Sequence, residues 1–147
     1  MIAVFRFLSL LPLAWLHVLG ALIGWLAWLF SPTYRRHLRE NMRLALGTDD
    51  ARRFRNAAIA HAGKQFIELA KIWLRPLEDA VSQVVAVSGW ELVEAATREG
   101  KGIIYLTPHL GCFEITAQYL STKAPITVLY RPPKRAWMQT LIETGRA

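Results

Sequence analysis

Apolar residues crowd the first thirty positions of the chain. The run 7–30 carries no charged side chain when His17 is counted as neutral. As a single helix this run would be roughly 36 Å long, enough to cross a hydrocarbon core of about 30 Å. Residues 1–30 are therefore predicted to form a membrane anchor, with Trp25 and Trp28 close to the membrane interface.

Two features inside this run bear on the geometry of the anchor. Pro12 can break a helix, which would give a re-entrant or monotopic anchor instead of a spanning one. Gly20 and Gly24 form a GxxxG pair, a spacing that packs helices closely in membranes. Because the run is apolar and contains several small residues, we interpret this pair as a chance occurrence.

Helical periodicity follows over residues 31–76, which are predicted to form a basic helical region. Apolar and basic residues each recur every four positions, on different faces: Tyr34, Leu38, Met42 and Leu46, and Arg35, Arg39 and Arg43. This spacing is typical of an amphipathic helix against a membrane or a domain, and equally of a solvated basic face. Gly47 is expected to end this helix, and a second helix is expected to run from Thr48 to just before Pro76.

Short β-branched runs alternate with helical patterns over residues 77–147. Strands are predicted at 84–87, 103–106 and 126–130, and helices at 90–98, from the turn 108–111 to about 121, and at 134–143. This alternation predicts an α/β fold with a mostly parallel sheet and flanking helices. Because three strands would leave a poorly covered edge, we expect the chain to be truncated and its sheet to continue beyond Ala147.

The net charge of +7 comes entirely from residues 1–75, next to the apolar anchor. Basic charge in that place favours an anionic membrane face or an acidic carrier protein as the partner. No nucleic-acid-binding motif accompanies it, so nucleic acid is not expected as a partner. Positively charged flanks of membrane segments usually stay in the cytoplasm, and the rest of the chain is placed there.

The candidate chemistry lies between the second predicted strand and the following helix. His109 follows the strand, and Glu114 opens the helix after a turn that contains Pro108 and Gly111. A carboxylate that holds one imidazole nitrogen makes the other a general base able to deprotonate an alcohol. Since residues five apart on a straight helix do not meet, the pair depends on that turn. The spacing by itself also fits an unrelated surface His and Glu.

Two other arrangements around His109 are less favoured. Cys112 lies in the same turn and is the only cysteine, so a Cys/His nucleophile is conceivable and an intrachain disulfide is excluded. A zinc site from His109, Cys112 and Glu114 would have a spacing that is not a standard ligand set, and no metal is expected.

In four segments, in order and spacing, the sequence resembles the bacterial lipid A biosynthesis lauroyl/myristoyl acyltransferases. These are the basic segment 34–44, the strand–glycine element 87–91, the block 103–114 with its H-x4-E spacing, and the Tyr-Arg-Pro element in 128–132. The resemblance implies a glycerolipid-acyltransferase-like α/β domain at the bacterial inner membrane, facing the cytoplasm. Members of the family are longer than this chain, so it is expected to be their amino-terminal part.

The resemblance also implies a reaction. Acyl carrier protein would donate a fatty acyl thioester to a hydroxyl of a lipid A precursor, with no further cofactor and no acyl-enzyme. His109 would be the general base and Glu114 its orienting partner. Arg131 is a candidate for binding phosphate or the carrier's phosphopantetheine, because guanidinium suits phosphate geometry, and it is equally well explained as a structural residue at a strand end. Lys134 is a weaker candidate of the same kind.

Three other functions stay open from the sequence. A glycerophospholipid acyltransferase shares this logic but normally has H-x4-D, whereas this chain has Glu114. Other glycolipid or aminolipid acceptors fit the same chemistry. An inactive membrane-bound fragment that only docks lipid or carrier protein is the non-enzymatic reading.

Overall fold

The structure, a computed structural model, describes residues 2–129, 131–132, 139 and 142–143. Its described part contains six helices joined by turns and irregular segments. They are α1 (Ile2–Leu10), α2 (Leu13–Phe30), α3 (Pro32–Leu74), α4 (Leu77–Val81), α5 (Trp90–Arg98) and α6 (Glu114–Ser121).

The apolar run at the amino terminus forms two helices, in agreement with the alternative in which Pro12 breaks the run. Pro12 has no backbone N–H to donate, and it separates α1 from α2. Its carbonyl oxygen accepts the first hydrogen bonds of α2, from the backbone N–H of Trp15 at 3.0 Å and of Leu16 at 3.2 Å. By length and composition alone, α2 is a helix that could cross a membrane.

The helices predicted in the basic region are found in α3, which runs from Pro32 to Leu74 with a break at Gly47. Ser31 caps the start of α3, since its Oγ accepts a hydrogen bond from the backbone N–H of Tyr34 at 3.2 Å, and Pro32 occupies the first turn. Gly47 has φ 75° and ψ −179°, which divides α3 into two helical halves. The second half ends at Leu74, before Pro76.

Three glycines allow α2 and the second half of α3 to pack with backbones in contact. A Cβ at Gly63 would lie 1.9 Å from the carbonyl oxygen of Gly20 and 2.5 Å from the backbone nitrogen of Gly24. The interpretation of the GxxxG pair as chance is therefore corrected. Leu16 and Ile59, one on each helix, are fully buried, and each such burial is worth about 1.5–3 kcal/mol.

The predicted parallel sheet is wrong for the part of the chain that the structure describes, which is helical. Residues 84–88, 102–108 and 125–129 have no regular secondary structure, and no backbone hydrogen bond recorded there joins one segment to another. Their aliphatic side chains are largely open, with Val85 95%, Ile104 90% and Leu129 100% exposed. A strand needs a hydrogen-bonded neighbour for its backbone groups, and within the described residues no such bond is recorded between these segments, although they border the same cavities.

The helices predicted around these segments are confirmed. α5 has the predicted limits, and α6 ends at Ser121 as expected. A small core holds α6 against the end of α3: Cys112 and Ile115 pack against Ile72 and Trp73. The helix predicted at 134–143 falls mostly outside the described residues.

Candidate functional site

His109 lies in the turn that leads into α6. Its side chain is exposed, and its ring centroid is 4.2 Å from that of Phe113, with the two rings inclined at 41°. Gly111, with φ 54°, gives this turn a left-handed backbone that a side chain would disfavour. The turn thus presents the imidazole at the surface, against an aromatic face.

Glu114 is the first residue of α6 and is half-buried. Its Oε2 accepts a hydrogen bond from Trp73 Nε1, the donor being on the last turn of α3, at 3.2 Å. One turn further along α6, Gln118 Nε2 donates to the carbonyl oxygen of Ile72 at 2.7 Å. These two bonds fix the carboxylate on a rigid junction between α3 and α6.

The structure brings His109 and Glu114 onto the same short segment without joining them. Among the described residues, no hydrogen bond or ion pair is recorded between the imidazole and the carboxylate. The imidazole contacts Phe113, while the carboxylate contacts Trp73.

Two cavities lie on different sides of α6. One, of about 480 Å³, is lined by Glu114 and by mainly apolar or small neighbours: Trp73, Ala117, Gln118, Ser121, Ile126, Val128, Ile142 and Glu143. The other, of about 420 Å³, is bordered by the residues on either side of His109, including Pro108 and Leu110. Glu114 therefore borders one apolar cavity, and the chain neighbours of His109 border another, each large enough for part of an alkyl chain.

Comparison of the sequence with known protein families identifies the family of this chain. A sequence model of the bacterial lipid A biosynthesis acyltransferases matches residues 1–147. The chain belongs to this family. No curated protein and no solved structure matches it. Membership in the lipid A acyltransferase family implies acyl transfer to a lipid and association with a membrane.

Cys112 does not have the properties of a nucleophile in this lipid A acyltransferase. Burial and the nearby Glu68 carboxylate raise the pKa of its thiol to about 12. The thiol therefore keeps its proton near neutral pH, and only the thiolate is strongly nucleophilic. The Cys/His alternative therefore loses its support. The described residues also contain no group of three His, Cys, Asp or Glu side chains that could hold a metal ion.

Sequence reasoning missed the cluster of His17, Glu68 and Cys112, which brings α2, α3 and the His109 turn together. His17 Nε2 on α2 and Glu68 Oε1 on α3 are 2.5 Å apart, and the negative charge of Glu68 also raises the pKa of the Cys112 thiol. The one available signal was His17 itself, because an imidazole in an otherwise apolar run needs a polar partner. Nothing in the sequence indicated which residue that partner was.

Of the two candidate phosphate-binding residues, the structure describes only Arg131. Arg131 is exposed, and no contact to another described side chain is recorded for it. Lys134 lies outside the described residues. Their proposed role stays a prediction.

Proposed function

We propose that this protein transfers a fatty acyl chain from an acyl carrier protein thioester to a hydroxyl of a lipid A precursor. His109 acts as the general base and Glu114 as its orienting partner. The observation that carries the proposal is the family match over residues 1–147, within which the H-x4-E spacing is intact. The fixed position of Glu114 at the start of α6 supports it.

The reaction needs one proton acceptor and no covalent enzyme intermediate. His109 takes the proton of the acceptor hydroxyl as the oxygen attacks the thioester carbonyl. The tetrahedral intermediate then expels the carrier's phosphopantetheine thiolate, which takes the proton back from the imidazolium. Glu114 stabilises that imidazolium and selects the imidazole nitrogen that faces the hydroxyl.

This mechanism requires the His109 side chain to move. The imidazole packs on the Phe113 ring, and Glu114 is the first residue of α6, five positions further along the chain. The imidazole would therefore have to leave the Phe113 ring and reach the Glu114 carboxylate. Catalytic hydrogen bonds often tighten only when substrate is bound.

The remaining parts of the substrate have candidate positions. The cavity beside Glu114 offers the apolar wall of Trp73, Ile126 and Val128 to an acyl chain. Arg131 follows this wall along the chain, and with Lys134 it would bind a phosphate of the acceptor or of the carrier's prosthetic group. We place the whole site at the cytoplasmic face of the bacterial inner membrane, where both substrates meet.

The test is an acyl transfer assay on membranes that contain the protein expressed from its genomic reading frame. Labelled acyl-carrier-protein thioesters are supplied with lipid A precursors and, in parallel, with glycerophospholipid acceptors. His109→Ala and Glu114→Ala should each lower transfer about 100-fold or more, the usual contribution of a general base. Glu114→Gln, which can still accept the Trp73 hydrogen bond, separates the loss of charge from the loss of structure.

The controls match each catalytic residue in type and setting. His37→Ala removes an exposed histidine of α3, and Glu91→Gln removes an exposed carboxylate from the first turn of α5. Both should keep full transfer. Full activity of His109→Ala would refute the general-base assignment, and lipid binding without any acyl transfer would favour a docking protein.

A further inference from the structure

The face of α2 that points away from α3 is an exposed apolar stripe, which we define as Trp15, Val18, Leu22, Leu26 and Leu29. These side chains are 70%, 64%, 57%, 53% and 56% exposed, respectively. Their spacing of three and four residues places them on one side of the helix. The opposite side is the packed one, where Leu16, Gly20 and Gly24 are buried.

The second half of α3 runs antiparallel along most of α2. Gly24 lies on the backbone of Ile59, Gly20 lies on Gly63 and Lys64, and His17 pairs with Glu68. The glycines keep the two helices so close that any position of α2 in a membrane also determines the position of α3.

This packing places a charge beside the middle of α2. A Cβ at Gly20 would lie 2.7 Å from the Cα of Lys64. Gly20 is about 10 Å from one end of α2 and about 15 Å from the other, at about 1.5 Å per residue. Lys64 is half-buried, and no carboxylate partner is recorded for it among the described residues.

A spanning orientation of α2 therefore conflicts with the charges on α3. If α2 crossed the bilayer, Lys64 would lie near the centre of the hydrocarbon, beyond the reach of its own side chain to either surface. Exposed His61 would lie at a similar depth. A charged side chain at the bilayer centre is costly, and a helix as polar as the second half of α3 is not stable there.

We propose that α2 lies in the plane of the membrane, within one leaflet, with its apolar stripe towards the acyl chains and α3 on the water side. The break at Pro12 and the 18-residue length of α2 fit this orientation, since neither end has to reach the far surface. This inference deepens the membrane location in the proposed function and does not depend on its chemistry.

A cluster of arginines at the carboxyl end of α2 specifies an anionic leaflet. The guanidinium carbons of Arg35, Arg39 and Arg55 lie 5.4, 5.8 and 5.8 Å from the ring centroid of Trp28. No ion pair is recorded for these three arginines within the described residues. An indole at the headgroup level, surrounded by guanidinium groups, suits phospholipid phosphates.

Depth measurement by spin labelling separates the two orientations. Single cysteines replace Trp15, Leu22 and Leu29 in a Cys112→Ser chain, labelled and bound to vesicles of phosphatidylethanolamine and phosphatidylglycerol. These positions are two turns apart on one side of α2. An in-plane helix should give all three labels the same depth. A spanning helix would place the Leu22 label about 10 Å deeper than the other two, and that result would overturn the proposal.

Two further arms test the fold and the lipid charge. His61→Cys, at an exposed position of α3 beside α2, should stay accessible to a water-soluble relaxant if α2 lies in the membrane plane, whereas protection of this label would contradict the proposal. Circular dichroism should show unchanged helix content in every variant. The double variant Arg35→Gln/Arg39→Gln should bind anionic vesicles about tenfold less tightly while its weak binding to neutral phosphatidylcholine is unchanged. Arg98→Gln, on α5, should have no effect. Equal binding of the double variant and the native chain to anionic vesicles would contradict the assignment of the arginines.

Discussion

Helices α1 to α3 and the segment 84–129 bury apolar surface in different ways. Leu16 and Ile59 are fully buried between neighbouring helices, and backbone meets backbone at Gly63. In contrast, neither α5 nor α6 has a buried residue, and Ile104 and Leu129 are at least 90% exposed.

The difference follows from where each element finds its hydrogen bonds. A helix pairs its backbone groups internally, so α2 and α3 need only a complementary face to pack. A strand must pair its backbone groups with another strand, and the described segments with high β-propensity have no recorded backbone hydrogen bonds to one another. The amino-terminal helices are consequently the better packed part of the described protein. The region around His109 is held in place by its contacts with α3, chiefly at Ile72 and Trp73.

The largest expected effect comes from a substitution that separates α2 from α3. Gly63→Ala would place a Cβ 1.9 Å from the carbonyl oxygen of Gly20, a contact that only a shift of backbone can relieve. We expect a loss of about 3 kcal/mol or more in the free energy of unfolding. Denaturant unfolding in detergent, followed by circular dichroism, measures this loss.

The matched control is a larger side chain on the same helix with open space around it. Ala57 is exposed on α3, so Ala57→Leu should change the free energy of unfolding by less than about 0.5 kcal/mol. Unchanged stability of Gly63→Ala would mean that the two helices are not packed as closely as described.

Local patterns predicted the helical half well because each signal is read within a few residues. Gly47, Pro76 and the limits of α5 were all predicted and are confirmed. The strands could not be decided in the same way, since their formation depends on partners elsewhere in the chain. The GxxxG pair was misjudged for a related reason: its partner Gly63 lies on another helix, and sequence spacing does not give the register between two helices.

The candidate site was predicted in part. The His109 and Glu114 assignment came from a local motif and the family resemblance, and the catalytic roles remain predictions. The cluster of His17, Glu68 and Cys112 could not be predicted from the sequence. Its members are far apart along the chain and meet only when α2, α3 and the His109 turn pack together. The division into residues 1–30, 31–76 and 77–147 also remains a prediction.

Substitution of Glu68 tests whether this residue stabilises the His109 turn against the amino-terminal helices. Glu68→Gln weakens the bond to His17 on α2 and removes the negative charge beside Cys112 in the His109 turn. We expect a loss of about 1–3 kcal/mol in the free energy of unfolding, typical of a broken bond to a charged group. Amide hydrogen exchange should also accelerate in residues 108–113 while α2 stays protected.

Glu40 provides the control for this experiment. It is on the same helix as Glu68, its side chain is 58% exposed, and its contact with Arg36 is 3.9 Å long. Exposed pairs of this kind contribute about 0–1 kcal/mol, so Glu40→Gln should have little effect on stability or exchange. Equal effects of the two substitutions would show that Glu68 is not a link between the regions.

The smallest expected effect on stability concerns the Cys112 thiol, whose alkylation rate also tests its surroundings directly. Burial and Glu68 raise the pKa of this thiol to about 12, so very little thiolate is present near neutral pH. Alkylation by iodoacetamide at pH 8 should be on the order of 1000-fold slower in the native chain than in the chain unfolded in urea. Alkylation of the native chain at the rate of a free thiol would contradict this environment.

The same raised pKa gives stability a pH dependence of known sign. The native state holds the thiol proton more tightly than the unfolded chain does, whose thiol has an ordinary pKa of about 8.5. This contribution is fully present below the unfolded pKa and is lost as pH rises towards about 12. The native chain should therefore lose more stability between pH 7 and pH 9.5 than Cys112→Ser, whose hydroxyl does not titrate there. Parallel urea unfolding curves for the two chains at both pH values measure this difference, and identical pH dependences would show that Glu68 and burial do not hold the proton on Cys112.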